Sequence, residues 1–374
     1  MTEFAAADFG WAKQGAAADL VCLLNRSGEA RFVGGCVRDS LLGLPPGPEG
    51  RTDIDIATTL LPEEVMACLD DAGIRHIPTG IEHGTVTAVI DHVPFEITTL
   101  RSDVSTDGRR ATVAFTTDWL KDASRRDFTI NALYLSADGM ISDFFGGQQD
   151  LLEGHVRFIG DACDRLREDY LRILRFMRFS ARYADSFDEA GWSACIDHAD
   201  GIDTLSRERV WSEMSRLFSA SGAAGMIENA SQTPVLGKIC PVKAATQRFR
   251  KVHERTNGKI SPALGLAALW PDADRAILTT SFKASNAILN EVEALNNAVA
   301  LLMKDVSHGH VLYLFGRDIA LQADNLAFAE NHVLSNDYIE ALRTGSVPVL
   351  PLKGADFIKR GIPPGPEISE LLRT

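Results

Sequence analysis

At 374 residues the chain is long enough for roughly two to four domains and a large apolar core. A composition of 45% hydrophobic and 24% charged residues is that of an ordinary water-soluble protein, and no apolar stretch is long enough to span a bilayer. The net charge of −13 excludes indiscriminate adhesion to nucleic acid, so any RNA must be held by a local basic patch and by shape.

In chain order, the first segment, MTEFAAADFGWAKQ, has neither a basic region followed by an apolar run nor the arginine-rich character of a transit peptide. Residues 1–28 read as a leading helix with Ala12, Ala16, Leu20, Leu23 and Leu24 as its apolar stripe. From about 30 to 145 the signal is strands: ARFVGG, TDIDIAT, GTVTAVI, VPFEITTL, RATVAFT, INALYLS and MISDFF. Between them LPEEVMACLDDAG (61–73) has a helical period, with Pro62 near its start and Gly73 at its end. After Gly154 the strand signals fade, and helix follows helix to about 345. The stretch 216–262 is moderately basic and reads either as a solvated surface or as a face for RNA. The last segment carries a Gly/Pro cluster, KGADFIKRGIPPGPEISELL. The six cysteines form no CxxC pair and no zinc-type spacing with histidine. Reduced thiols in a cytoplasmic protein are expected. His198 stands alone as a structural or surface residue.

The chemistry concentrates in FVGGCVRDSLLG and the TDIDIATT that follows it. Alternation along a strand puts Asp53 and Asp55 on one face, with Ile54 and Ile56 turned to the core. Two adjacent carboxylates repel, and a divalent cation offsets that repulsion. The Gly34–Gly35 turn lets backbone N–H groups approach an anion at a helix start. Arg38, one turn further on, suits multidentate contact with a triphosphate. A phosphate cradle beside a dicarboxylate points to metal-assisted chemistry on a nucleoside triphosphate, with two ions roughly 3.5–4 Å apart in the usual geometry. Glu96 in VPFEITTL is the candidate third carboxylate, or else a polar residue on a half-exposed strand. Cys36 reads as a small packing residue.

Further motifs follow in order: RRDFTINAL (125–133), DFFGGQQDL (143–151), EDYLRILRFMRF (168–179) and SRERVWSEM (206–214). With GGCVRD and DID they make the chain from about 30 to 220 resemble the class II tRNA nucleotidyltransferases, which include CCA-adding enzymes and bacterial poly(A) polymerases. The resemblance implies an α+β fold: a polymerase-β-like head over 1–150, then a helical neck (151–220), body (221–300) and tRNA-binding tail (301–374). It implies addition of CCA to tRNA from CTP and ATP with Mg2+; the cysteines and the hydropathy add the expectation of a cytoplasmic protein off the membrane, with no stable protein partner evident. It also assigns roles. Arg125 contacts the nucleotide, and Asp127 and Asn131 sense the ribose 2′-hydroxyl. Asp169 and Arg172 read the Watson–Crick edge of the base in place of a template, and Arg175 and Arg178 face the nucleotide or its phosphates. Cytosine and adenine each offer an amino donor beside a ring-nitrogen acceptor, which a carboxylate and a guanidinium match. Taken without the resemblance, Asp127 is a helix cap and Asp169–Arg172 an ordinary ion pair.

On the helix EDYLRILRFMRFSARY, Tyr170, Ile173, Leu174, Met177 and Ala181 make the apolar stripe. Leu171, Phe176 and Phe179 interrupt the arginine side, so that side is expected to line a cleft. The segment 99–119 corresponds in relatives to a flexible loop needed to switch from C to A addition, and its DGR element (Asp107, Gly108, Arg109) favours complete CCA addition over CC-only activity, with A-only addition left as an alternative. A poly(A) polymerase is the alternative enzyme. Such polymerases commonly carry a basic C-terminal extension, whereas this sequence stops at PGPEISELLRT. A catalytically dead RNA-binding relative is a third reading; it would be expected to have lost acids or template residues, and none is lost.

Overall fold

The computed structural model describes residues 7–44, 46, 53–107, 110–304, 306–348 and 354–371. The chain divides into two compact units, Met1–Pro241 and Val242–Thr374.

The strands of the first unit are β1 (Ala30–Val33), β2 (Asp55–Thr58), β3 (Arg75–Gly80), β4 (Thr85–Ile90), β5 (Val93–Thr99), β6 (Arg101–Asp107), β7 (Arg110–Phe115), β8 (Leu133–Leu135) and β9 (Ile141–Asp143). Seven of them form one sheet in the order β3-β4-β5-β2-β1-β8-β9, and β6 pairs with β7 as a separate hairpin. Within the sheet only β2 and β5 run parallel. That pairing matters, because its register sets Asp55 opposite Glu96 while Ile56 and Ile97, one residue on, are fully buried.

The first helices are α1 (Ala16–Leu24), α2 (Gly35–Leu41), α3 (Pro62–Asp71), α4 (Trp119–Ser124) and α5 (Gly147–Leu152). A helical run then completes the unit: α6 (Ala162–Glu168), α7 (Leu171–Tyr183), α8 (Glu189–Asp197), α9 (Arg207–Leu217), α10 (Ala223–Ser231) and α11 (Pro234–Ile239). The second unit is helical throughout its described residues: α12 (Thr246–Arg255), α13 (Pro262–Leu269), α14 (Arg275–Phe282), α15 (Asn286–Leu302), α16 (His308–Ala329), α17 (Asn336–Thr344), α18 (Gly354–Lys359) and α19 (Pro366–Leu371). Among the described residues no helix is long and apolar enough to cross a membrane.

The mixed architecture and the seven strands read from sequence are present, and the differences have physical causes. The leading helix begins only at Ala16, because Gly15 adopts φ +83° and Ala12 sits in a short 3-10 turn. Two strands carry no apolar alternation and escaped notice. β3 is a mostly exposed edge strand containing Pro78, which an edge tolerates. β6 reads RSDVSTD, so the segment expected to be a loop is instead a hairpin. Gly108 and Arg109 of its DGR element lie outside the described residues.

Within the basic stretch, three side chains are taken up by partners inside the second unit. Arg248 pairs with Glu330 at 2.6 Å and donates to the Ala267 carbonyl. Lys251 donates to the Ala329 carbonyl (3.2 Å) and to Asn331 (2.8 Å), and Arg255 pairs with buried Asp324 at 2.6 Å. These side chains brace α12 against the end of α16. Reversing their charge would test stability before it tested RNA binding.

Candidate active site

Asp55 opens β2 and Asp53 stands two residues ahead of it. Both border a cleft of ≈ 800 Å³. Burial, and after it the neighbouring Glu96 carboxylate, push Asp55 up to about 6, with Asp53 adding to the rise and Arg126 opposing it. A carboxyl raised in this way is buried first and crowded by other acids second, and a bound cation would oppose both effects. Among the described residues no group of three or more His, Cys, Asp or Glu could hold a metal ion. Exposed Glu96 is therefore a neighbour of Asp55 without completing a three-acid cage. Two carboxylates still suit a small hard cation, which keeps its waters and shares substrate phosphates.

The glycine turn is real, with one correction. Gly34 adopts φ +74°, open to glycine at no steric cost, but its N–H donates to the Leu133 carbonyl at 3.1 Å. The donors of the turn therefore begin with Gly35, at the start of α2. Cys36 is fully buried, and burial followed by Asp55 pushes its thiol up to about 12, so it packs and does not attack.

Arg38 is 6% exposed and forms one side of a continuous polar chain. It donates to Asn131 Oδ1 (2.5 Å) and to Asp39 Oδ1 (2.8 Å). Asn131 Nδ2 donates to Asp127 Oδ1 (3.0 Å), and Arg175 Nε donates to Asp127 Oδ2 (2.6 Å). The chain ties α2, the 127–131 turn and α7 together. Burial opposes the charge on Asp127, yet Arg175 and then Asn131 hold its carboxyl below the usual range. The helix-cap alternative fails, since the backbone N–H that Asp127 accepts is that of adjacent Phe128. DFFGGQQDL braces the same turn from behind. Asp143 accepts from the N–H groups of Gly147 and Gln148 (both 2.9 Å), and Asp150 accepts from Thr129 and Arg157.

The least anticipated group is Asp122, 1% exposed. Its Oδ1 accepts from Arg125 Nη2 (2.6 Å) and from the Arg101 N–H (3.3 Å). Its Oδ2 accepts from Arg126 Nη2 (3.1 Å) and the Tyr134 hydroxyl (2.8 Å). Arg125 also reaches the Arg101 carbonyl (3.0 Å) and so faces the root of the hairpin, not the cleft. Arg126 is the arginine of the pair that lines the cleft. The spacing of Asp122 to two successive arginines, i+3 and i+4, was the available signal. Burial works against the Asp122 charge, but Arg126 and Arg125 hold its carboxyl at about 2, against an ordinary 3.8. Asp122→Asn is therefore expected to cost on the order of 3–5 kcal/mol at neutral pH, by leaving two guanidinium groups without their buried acid. The depressed carboxyl stabilises fully above its unfolded value near 3.9, and that share is lost as pH falls through about 2. Denaturant titrations of the full chain should show the gap between wild type and variant narrowing between those values. A gap independent of pH would refute the ion-pair account.

Along α7 the arginine side lines the cleft as its sequence implied. Arg175, Arg178 and Phe179 border it, and the opposite face buries Ile173, Leu174, Met177 and Ala181. Tyr170 precedes the helix. Arg178 pairs with buried Glu213 of α9 at 2.5 Å, which gives the SRERVWSEM motif a positioning role. Arg182, which the sequence set on the same side of the helix, also lines the cleft, as does Arg216 from the start of the basic stretch; Tyr183 is the lining residue the pattern gave no sign of.

Asp169 and Arg172 do not border this cleft. Asp169 lies ahead of α7 in extended conformation (φ −157°, ψ 105°) and accepts from Arg209 Nη2 at 2.6 Å. Arg172 pairs with Glu168 (2.5 Å) and donates to the Arg125 carbonyl (3.2 Å). The expected ion pair between them is replaced by these separate partners.

A mixed sheet presenting paired acids beside an arginine-lined cleft defines a nucleotidyltransferase head, and residues 30–157 match the poly A polymerase head domain. The human mitochondrial CCA tRNA nucleotidyltransferase 1 is 35% identical over 366 residues, covering 92% of this chain and 81% of the relative. A CCA-adding enzyme of Bacillus cytotoxicus is 30% identical over 304 residues, covering 80% and 74%. Among solved structures, the Bacillus stearothermophilus CCA-adding enzyme in complex with CTP aligns with a TM-score of 0.72 at 28% identity, covering 95% of this chain and 89% of that one. The chain belongs to the family of CCA-adding tRNA nucleotidyltransferases.

Proposed function

We propose that this protein adds the 3′-terminal CCA to tRNA from CTP and ATP without a nucleic-acid template, releasing pyrophosphate. The observation that carries the reading is the meeting, in one cleft, of the Asp53–Asp55 pair with the chain Arg38–Asn131–Asp127–Arg175. Mg2+ held by Asp53 and Asp55 would activate the tRNA 3′-hydroxyl and stabilise the leaving pyrophosphate. Around it, Arg38 and Arg126, fixed by Asp39 and Asp122, offer guanidinium N–H donors to the triphosphate. Asp127 and Asn131, locked by Arg175 and Arg38, offer an acceptor and an amide to the ribose. Base selection by Asp169 and Arg172, which stand outside the cleft lining and are held by Arg209 and Glu168, is the part of the reading carried by the family resemblance alone. A cytoplasmic setting fits six cysteines that are all free thiols. Head, neck, body and tail remain our division of labour along the chain, with the tail on tRNA.

Incubation with tRNA lacking CCA, and with tRNA ending in C or CC, each with one labelled nucleotide, tests the reading. CTP should be used twice and ATP once, with UTP and GTP refused. Long adenylate tails would identify a poly(A) polymerase instead. The hairpin β6–β7 supports complete CCA addition, so replacing residues 102–114 by a short glycine linker should leave CC addition and abolish the final A. Retained A addition would remove the hairpin from the switch.

A further inference from the structure

Charge inside the cleft is distributed unevenly. Four of its arginines are neutralised by buried acids: Arg38 by Asp39 (2.8 Å), Arg126 by Asp122 (3.1 Å), Arg175 by Asp127 (2.6 Å) and Arg178 by Glu213 (2.5 Å). Two others are not. Arg182 comes only to 3.8 Å of Asp39, whose other oxygen already accepts from Arg38 and from the Tyr183 hydroxyl at 2.8 Å each. Arg216 has no ion pair among the described residues. Exposure runs the same way: Arg38 is 6% exposed, the Arg182 side chain 45%, and Arg216 is open to solvent. Arg182 lies two turns beyond Arg175 on α7, about 10 Å along the axis. The excess positive charge of the cleft therefore sits at its outer mouth.

We infer that Arg182 and Arg216 form a phosphodiester subsite for the single-stranded 3′ end of the RNA acceptor, separate from the triphosphate subsite at Arg38 and Arg126. This rests on the reading of the protein as a tRNA nucleotidyltransferase. The acceptor 3′-hydroxyl must reach Asp53 and Asp55 from solvent and bring its own backbone phosphates behind it. In a protein of net charge −13, those phosphates need a local cationic contact, and two exposed guanidinium groups without a close acid of their own among the described residues supply one. A cleft of ≈ 800 Å³ is near the top of the range for one small ligand, which leaves room for both substrates.

The test uses the full chain with Arg182→Glu, Arg216→Glu, the double variant and the corresponding Gln variants. Substrates are tRNA ending in CC and ATP. The KM for RNA should rise roughly tenfold on charge reversal, and the slope of log kcat/KM against log salt should flatten by about 0.7 for each RNA phosphate no longer neutralised, while the KM for ATP is unchanged. The Gln variants should show smaller effects of the same sign, which a folding defect would not produce. A raised KM for ATP with an unchanged KM for RNA would overturn the proposal in favour of a triphosphate contact. Unchanged values for both would make the pair solvated surface. Filter binding of tRNA ending in CC against tRNA lacking CCA reads the same subsite without turnover. Wild type should prefer the CC end and the double variant should not; equal preference in both would also overturn it. An inactive wild type would instead count against the nucleotidyltransferase reading.

Discussion

Asp53→Ala and Asp55→Ala are each expected to lower nucleotide incorporation by about 10³-fold or more, the scale of losing one preorganised charge at a reacting centre, with tRNA binding nearly intact. The two acids border the cleft at the start of β2, where burial and then the Glu96 carboxylate raise the Asp55 carboxyl and Arg126 offsets only part of the rise. Charge gathered that way stabilises nothing by itself, which fits the proposed role of holding a cation against substrate phosphates. Glu96→Ala separates two roles. As an exposed neighbour on the parallel strand, it should cost less than either aspartate if it only tunes Asp55, and as much if it ligates. Incorporation at a series of Mg2+ concentrations, beside filter binding of tRNA, measures all three. Normal turnover of either aspartate variant at ordinary Mg2+ would overturn the metal-site assignment.

The parts of this protein legible in its sequence are those where local pattern and chemistry coincide. The pattern around Asp55 gave the strand and the burial of Ile56, whereas Asp53 and Ile54, read as part of the same alternating strand, stand ahead of β2, with Ile54 only partly buried. The interrupted arginine side of α7 gave the cleft wall. What escaped was set by tertiary partners. Nothing local distinguishes Arg125 from Arg126; only the backbone of Arg101, brought in by the hairpin, decides which of them turns away. Nothing local tells that Arg248 is taken up by Glu330, 82 residues further on, so the basic run read equally as a solvated surface or as an RNA face. Asp169 was placed on a helix by its period, but Asp169 breaks from α6 in extended conformation before α7 begins.

Asp169→Ala should lose base selectivity as well as rate. The side chain is held by Arg209 and by the Leu171 N–H, and a carboxylate has further lone pairs with which to accept from an exocyclic amino group. Refusal of UTP and GTP depends on leaving buried polar groups unpaired, worth about 1–3 kcal/mol per group, or roughly one to two orders of magnitude in preference. Arg172→Ala should lower use of CTP and ATP in the same way, because its guanidinium is fixed by Glu168 and by the Arg125 carbonyl. Arg209→Ala removes the brace but keeps the carboxylate, so rate should fall while discrimination largely survives. Arg165 is a poor control, since it pairs with Glu168 and its carbonyl accepts from Arg172. Arg167, exposed and paired only with Asp164 across one turn, is the better one, and its replacement should change little. If Asp169 served only its partner Arg209, both alanine variants would lose the same small stability and leave the CTP-to-UTP preference untouched. Steady-state kinetics with all four nucleotides on tRNA lacking CCA separates the two accounts, and wild-type discrimination in Asp169→Ala would end the template role for this protein.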